Sequence, residues 1–411
     1  MIKRLAAFVA ALMLANGAWA QFPDTAVPES VGLSSEGLAK LGAVLQAEID
    51  SGALPGVSVM IQRRGRIAYF ETFGVQNPDT GAAMPKDGIF RIYSMTKPIV
   101  SVGLMMLAED GKLSITDAVA KWIPELGGLK VAVETAQGPT GATLVAAKRD
   151  ITVQDLLRHT SGLTYGVFGK SWVKSKYLAA GIHHKDRSTA AMTKVLGTLP
   201  LMHQPGEVWE YSRSTDVLGR LIEVITGQSL GDYLEDRIYQ PLGMTDTGFF
   251  VPPSELGRVV EPQIDPSTGK KPNYLDPATD PIYESGGGGL FSTTHDYSRF
   301  TRMMLNGGEL DGVRLLGRKT VALMTANHLA PGIKTWHPGY GFGLGFSVRI
   351  EQGQAGWPGS VGEYWWAGYG GTLFWVDPAE ELIVIYMSQK THKRRYYRRM
   401  MRYLVSQAII D

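Results

Sequence analysis

The clearest strand-like runs of this chain lie near its two ends, and that separation constrains the fold more than any other feature. Val57–Ile61 and Ile67–Phe73 flank the turn Arg63-Arg64-Gly65-Arg66, while Tyr340–Ile350, Gly371–Val376 and Leu382–Met387 come at the far end. A lone hairpin is marginal in water, so the early pair needs the late runs beside it. Ser34–Asp50 puts Leu38, Leu41, Leu45 and Ile49 on one helical stripe and stops at Gly52. A last helix from about Lys390 repeats Tyr396/Tyr397, Met400/Met401, Leu404/Val405 and Ala408/Ile409 at the i, i+4 spacing. Its arginines, Arg394, Arg395, Arg398, Arg399 and Arg402, then fall on the opposite, solvated face of an amphipathic helix rather than forming a nucleic-acid surface.

The middle reads as helical. Met95–Glu109 is stopped by Gly111, Thr152-Val-Gln-Asp155 has the shape of a capping box, and Val217–Ile225 and Leu230–Ile238 give two further helices. Val251–Tyr283 is proline-rich, aperiodic and expected as a long loop. The expected fold is α+β: one antiparallel sheet flanked by the N- and C-terminal helices, plus a mostly helical lobe. The sheet-bearing part spans about 30–90 and 330–411, and the lobe about 91–330.

Composition narrows the chemistry. With 44% hydrophobic residues and a net charge of +2 over 411 residues, the chain is neither disordered nor globally basic. Zero cysteine removes disulfides, thiolate metal sites and a cysteine nucleophile. Met1–Arg4 carries two positive charges, Leu5–Leu14 is apolar, and Ala18-Trp19-Ala20 precedes Gln21, the pattern of a cleaved secretory signal over residues 1–20. The expectation is a mature 21–411 chain in the periplasm or outside the cell, with no membrane insertion after cleavage.

Ser94-Met95-Thr96-Lys97 is the most informative tetrapeptide. Three residues apart on a helix, the lysine ammonium can reach the serine hydroxyl, and the helix N-terminus favours developing negative charge. Alone, such a pair is equally an N-capping serine and an exposed lysine. Two distant segments change the weighing: Gln204–Gly219, which carries Tyr211 just before a helix, and Glu363-Tyr364-Trp365-Trp366-Ala367-Gly368-Tyr369-Gly370-Gly371-Thr372 before a strand. With Arg158–Leu163 and Glu284–Leu290, these resemble, in order and spacing, the serine β-lactamase-like superfamily of class C β-lactamases, DD-peptidases and family VIII carboxylesterases.

The resemblance implies Ser94 as acylated nucleophile, with Lys97 and Tyr211 as its activating pair. A phenol ionises near pH 10, so a cation beside it has to help it accept a proton, and which of the two is the formal base stays open. It implies an oxyanion hole from the backbone N–H groups of Ser94 and Tyr369. Trp366 stands where lactam-active relatives carry a lysine, and Arg213 where they carry an asparagine, so recognition of penicillin-type or D-alanyl substrates is weakened. A tryptophan-glycine third motif is similar to that of family VIII carboxylesterases. Trp366, Gly368, Arg213, Tyr93 and Trp365 are the expected substrate contacts, Arg213 as an anion contact, and some of Trp209, Tyr364 and Tyr369 join them in an apolar pocket.

Gly227-Gln228-Ser229-Leu230-Gly231 matches G-x-S-x-G, but it lies between two helices, so Ser229 is expected as an N-cap. The eight histidines form no H-E-x-x-H pattern, and His183 and His184 point to different sides of a helix. No metal and no cofactor are expected. Tyr165–Met192, polar and irregular, is either a lid or a surface loop. The leading function is hydrolysis of a small carboxylic ester through an acyl-enzyme, with no nucleic-acid partner. The alternatives are a β-lactamase or D-amino-acid peptidase, amide or transacylase work on the same scaffold, and a non-catalytic penicillin-binding module.

Overall fold

The computed structural model describes residues 24–134, 141–182 and 187–411. The leader-like segment and His183–His184 lie outside them. Both ends of the chain do meet in one antiparallel sheet. Its strands are β1 (Gly56–Arg63), β2 (Arg66–Asn77), β3 (Ala82–Ala83), β4 (Tyr340–Phe342), β5 (Ser347–Arg349), β6 (Tyr364–Ala367), β7 (Leu373–Asp377) and β8 (Leu382–Ser388), in the order β4-β5-β6-β7-β8-β1-β2-β3. The closure is the β1–β8 pairing, Val57 opposite Ser388 through Arg63 opposite Leu382. Arg64 (φ 52°) and Gly65 (φ 73°) make the β1–β2 turn with two left-handed residues, which matches the twist of a tight hairpin.

Alternation along the central strands separates two cores. Leu373, Trp375, Leu382, Val384 and Tyr386 face one way, onto Leu38, Leu41 and Leu45 of α1 (Ser35–Asp50). Phe374, Val376, Ile383, Ile385 and Met387 face the helical lobe. Each such side chain contributes roughly 1.5–3 kcal/mol when fully buried. In the lobe, α2 (Thr96–Glu109) is buried nearly all round and packs against α3 (Ser214–Thr226), which ends at the left-handed Gly227. Further in the chain come α4 (Thr294–Leu305) and α5 (Arg394–Ser406), the latter laying Tyr397, Met401, Leu404 and Val405 on the α1 side of the sheet.

Several expectations change. Tyr340–Ile350 is two strands, broken where Gly345 takes φ 98°. Tyr364–Ala367 is an unexpected strand, because Tyr364 and Trp366 pack on the lobe while Trp365 packs on the helix side, leaving no polar alternation to read. The Leu230 helix stops at Leu234 and continues as a π turn, Glu235–Tyr239. The Tyr165–Met192 stretch is not irregular throughout: Trp172–Ala179 is helical, capped by Ser171. The lobe also holds small strand pairs, such as Lys130–Glu134 with Ala142–Ala146. Among the described residues no helix is long and apolar enough to cross a membrane.

Candidate active site

Tyr93–Met95 forms a 3-10 turn that leads directly into α2, so Ser94 precedes the α-helix instead of starting it. Tyr93 holds φ 45°, a conformation that costs on the order of 1–3 kcal/mol for a non-glycine residue and has to be held by its surroundings. Three straps supply that. Ile92 N–H donates to the Leu290 carbonyl (3.0 Å), Leu290 N–H donates to Thr96 Oγ1 (3.1 Å), and the Tyr297 hydroxyl donates to the Met95 carbonyl (2.9 Å). Ser94 does not cap α2, whose N-cap is Met95 without a side-chain bond.

Lys97 is 1% exposed, and its ammonium donates to Ser94 Oγ (3.3 Å) and to the Gly287 carbonyl. Its Nζ also lies 4.6 Å from the ring centroid of Tyr211 and 5.3 Å from that of Tyr165. Burial alone would depress the lysine pKa, but the two phenols outweigh it and hold the pKa above its ordinary value. Lys97 is therefore an ammonium at neutral pH. Tyr165, which the sequence did not single out, is shifted upward by burial despite Lys97.

Gly287 has to be a glycine here: a Cβ would meet Asp216 Oδ2 at 2.6 Å and the Tyr165 hydroxyl at 2.7 Å. Asp216 fixes this loop by accepting from Ser285 Oγ (2.6 Å) and Gly287 N–H (3.1 Å). Burial works against its charge, yet Arg213, 3.6 Å away, leads the groups that hold its pKa below the ordinary range. Arg213 is consequently not the expected substrate contact. It is 1% exposed, paired with Asp216 and over the Tyr165 ring, and it does not line the cavity.

Tyr211 is 5% exposed within a cage of rings: Trp336 and His159 at 5.0 Å, Tyr165 and Trp366 at 5.3 Å, and Trp209 stacked at 6.2 Å. Its hydroxyl has no hydrogen-bond partner among the described residues. His159 Nδ1 lies 3.2 Å from Ser212 Oγ, and burial first, then Lys97, keeps the imidazole neutral. It positions the ring without carrying charge.

β6 runs out into Gly368, the residue after its last, where a Cβ would strike the Ile92 carbonyl at 2.3 Å. This close approach brings the Gly368–Tyr369 edge to the segment before Ser94. Ser94 sits in a first helical turn, where N–H groups lack intrahelical acceptors, and Tyr369 N–H pairs with no backbone carbonyl. A cavity of about 930 Å³ opens here, lined by Ser94, Tyr211, Trp365, Trp366, Gly368 and Tyr369. Tyr93 is not part of its wall; it packs edge-on against Tyr369 and Tyr274. Tyr364 and Trp209 also stay off the wall, whereas Phe168, Trp336 and Trp357, none of them expected, line it.

The C-terminal arginines are the largest correction. Arg394, Arg395, Arg398, Arg399 and Arg402 all line the same cavity: Arg395 and Arg399 are exposed as expected, but Arg394 and Arg398 are half-buried and Arg402 is only 4% exposed. The arginine stripe lies beside the apolar stripe of α5 rather than opposite it, and so faces the cleft.

Ser229 is an N-cap, its Oγ accepting from Asp232 N–H at 3.0 Å, and it is remote from this arrangement in role. No group of three or more metal-binding side chains is found among the described residues.

A serine held by a buried lysine, a tyrosine facing that lysine and a glycine-rich strand end beside them define a serine hydrolase of the β-lactamase type. The chain belongs to the Beta-lactamase family, whose model matches residues 41–408. It is 36% identical over 362 residues to Protein Rv1367c of Mycobacterium tuberculosis (84% of this chain, 88% of the relative). It is 28% identical over 393 residues to Esterase EstB of Burkholderia gladioli (89% and 94%). Among solved structures, "EstCE1, a hydrolase with promiscuous acyltransferase activity" superposes with a TM-score of 0.77 at 25% identity, covering 92% of this chain and 99% of that one.

Proposed function

We propose that this hydrolase is a carboxylesterase that works through an acyl-enzyme on Ser94. The observation that carries the reading is Trp366: its indole lines the cavity and packs 5.3 Å from Tyr211, where lactam-active relatives place a cation. The likeness to Esterase EstB supports it. Ser94 Oγ attacks the ester carbonyl and its proton passes to Tyr211 reacting as a phenolate, which becomes a neutral phenol, while Lys97 stays an ammonium and stabilises the phenolate before the transfer. The N–H groups of Ser94 and Tyr369 hold the oxyanion. Tyr211 then protonates the leaving alcohol, and water reverses the sequence to release the acid. Export by cleavage after Ala20, a soluble ester substrate and no nucleic-acid partner complete the proposal.

The test is kinetic. Purified protein should hydrolyse p-nitrophenyl butyrate with a kcat/KM above that for nitrocefin, and Ser94→Ala should abolish the ester activity. Faster nitrocefin turnover would move the enzyme to the lactamase class.

A further inference from the structure

α5 carries Arg394, Arg395, Arg398, Arg399 and Arg402 at i, i+1, i+4, i+5 and i+8, a stripe of about 140° at 3.6 residues per turn. All five line the cavity that contains Ser94. Only one has a carboxylate partner. Glu363, itself fully buried, binds Arg402 (2.7 Å) and Arg349 (3.2 Å) and accepts from the Tyr340 hydroxyl, so its oxygens are already in use. The other four have no ion-pair partner among the described residues. Arg394 stacks over Tyr369 (5.0 Å), and Arg398 donates to the Gly368 carbonyl, which ties the stripe to the strand end beside Ser94. Arg398 Nε and Arg402 Nη2 are buried donors without an acceptor.

Such crowding is electrostatically unfavourable, and its neighbours register it. Burial and then the adjacent arginines push Arg398 down to about 9, and burial and then Arg398, Arg395, Arg402 and Arg399 push His337 down to about 4. Like charges held together at a cavity wall, with planar donor forks left over, match the geometry that recognises carboxylate and phosphate oxygens.

We infer that the arginine stripe of α5 is a subsite for a carboxylate or phosphate carried by the substrate, remote from the scissile bond. This rests on the ester-hydrolase reading and names its substrate class: an anionic ester. The bond cleaved is still the neutral ester at Ser94. The arginines hold the other end.

Three anionic probes cover the options: 4-nitrophenyl hemiglutarate with the charge on the acyl part, 4-butyryloxybenzoate with it on the alcohol part, and 4-butyryloxyphenyl phosphate as the phosphate arm. The first two are compared with their methyl esters, and the third with phenyl butyrate. In the wild type, at least one anionic probe should show a kcat/KM tenfold or more above its neutral partner. That ratio should fall below about twofold in R395Q/R399Q, both exposed residues, and should shrink as salt rises from 50 to 500 mM, which shortens the screening length about threefold. Equal or lower kcat/KM for every anionic probe, or a ratio unchanged in the double variant, overturns the subsite.

If no ester is hydrolysed, the ester reading fails instead. Calorimetric titration with 4-hydroxybenzoate and with phenyl phosphate, each against its uncharged analogue, then decides the subsite. Binding of an anion that is lost in R395Q/R399Q upholds it, and no difference between charged and uncharged compounds overturns it.

Discussion

At one end of the cavity Tyr211 is surrounded by aromatic rings, with the buried cation Lys97 against its face; at the other stand five arginines, of which only Arg402 is paired with a carboxylate among the described residues. The first end leaves a hydroxyl without a partner, and the second leaves guanidinium donors without acceptors. Both are locally costly, since buried polar groups lose water without full replacement. The difference is in what each can do. The aromatic end can move a proton at a fixed point, and the arginine end can only attract and orient charge.

The sharpest way to break this contrast is Tyr211→Phe. Removing the hydroxyl keeps the ring packing and should cost folding stability about 1 kcal/mol or less, yet kcat for p-nitrophenyl butyrate should fall by about 10²–10⁴ if Tyr211 carries the proton. A fall in activity that tracks a fall in melting temperature would reduce Tyr211 to a packing residue.

Glu363→Gln probes the opposite end. It strips the countercharge from Arg349 and Arg402, both nearly inaccessible, and should destabilise the chain by about 3–5 kcal/mol in urea unfolding. A loss below about 1 kcal/mol would mean that the buried network does not hold the arginines in place.

The smallest effect is in acid. His337 has its pKa lowered to about 4, mainly by burial and then by the arginines. The native state therefore binds fewer protons than the unfolded chain between about pH 6.5 and 4. The stability this group contributes is complete above the unfolded value and is lost as pH falls through that window. Because His337 is partly exposed, the share is about 1 kcal/mol after screening. His337→Gln should flatten the pH dependence of the melting temperature between 7 and 4, and an identical slope would contradict the assignment.

The same two regions differ in how far the sequence discloses them. Ser94 and Lys97 are three residues apart, and the short run around Tyr211 and the Trp366-Ala367-Gly368 edge have recognisable local shapes, so this half of the candidate site is legible. The two-ended sheet is legible too, because strand runs and the terminal helices leave periodic signals. The arginine end is not. A polar stripe beside an apolar one looks the same whether it meets water or a cleft, and only the position of α5 across β6 and β7 decides. Asp216, Tyr165 and Gly287 are likewise single residues whose importance comes from a loop over sixty positions away closing on them. Arg213 misled for the complementary reason: its place beside Tyr211 in sequence says nothing about which way the side chain turns.

The central claim is that a serine held by Lys97 at the aromatic end forms the covalent intermediate. Acid-quenching the protein during p-nitrophenyl butyrate turnover and mapping the modified peptide by mass spectrometry tests it directly. The account predicts one butyryl group on the peptide carrying Ser94 and none in Ser94→Ala. A butyryl group on the Ser229 peptide, or ester turnover that persists in Ser94→Ala, would contradict it.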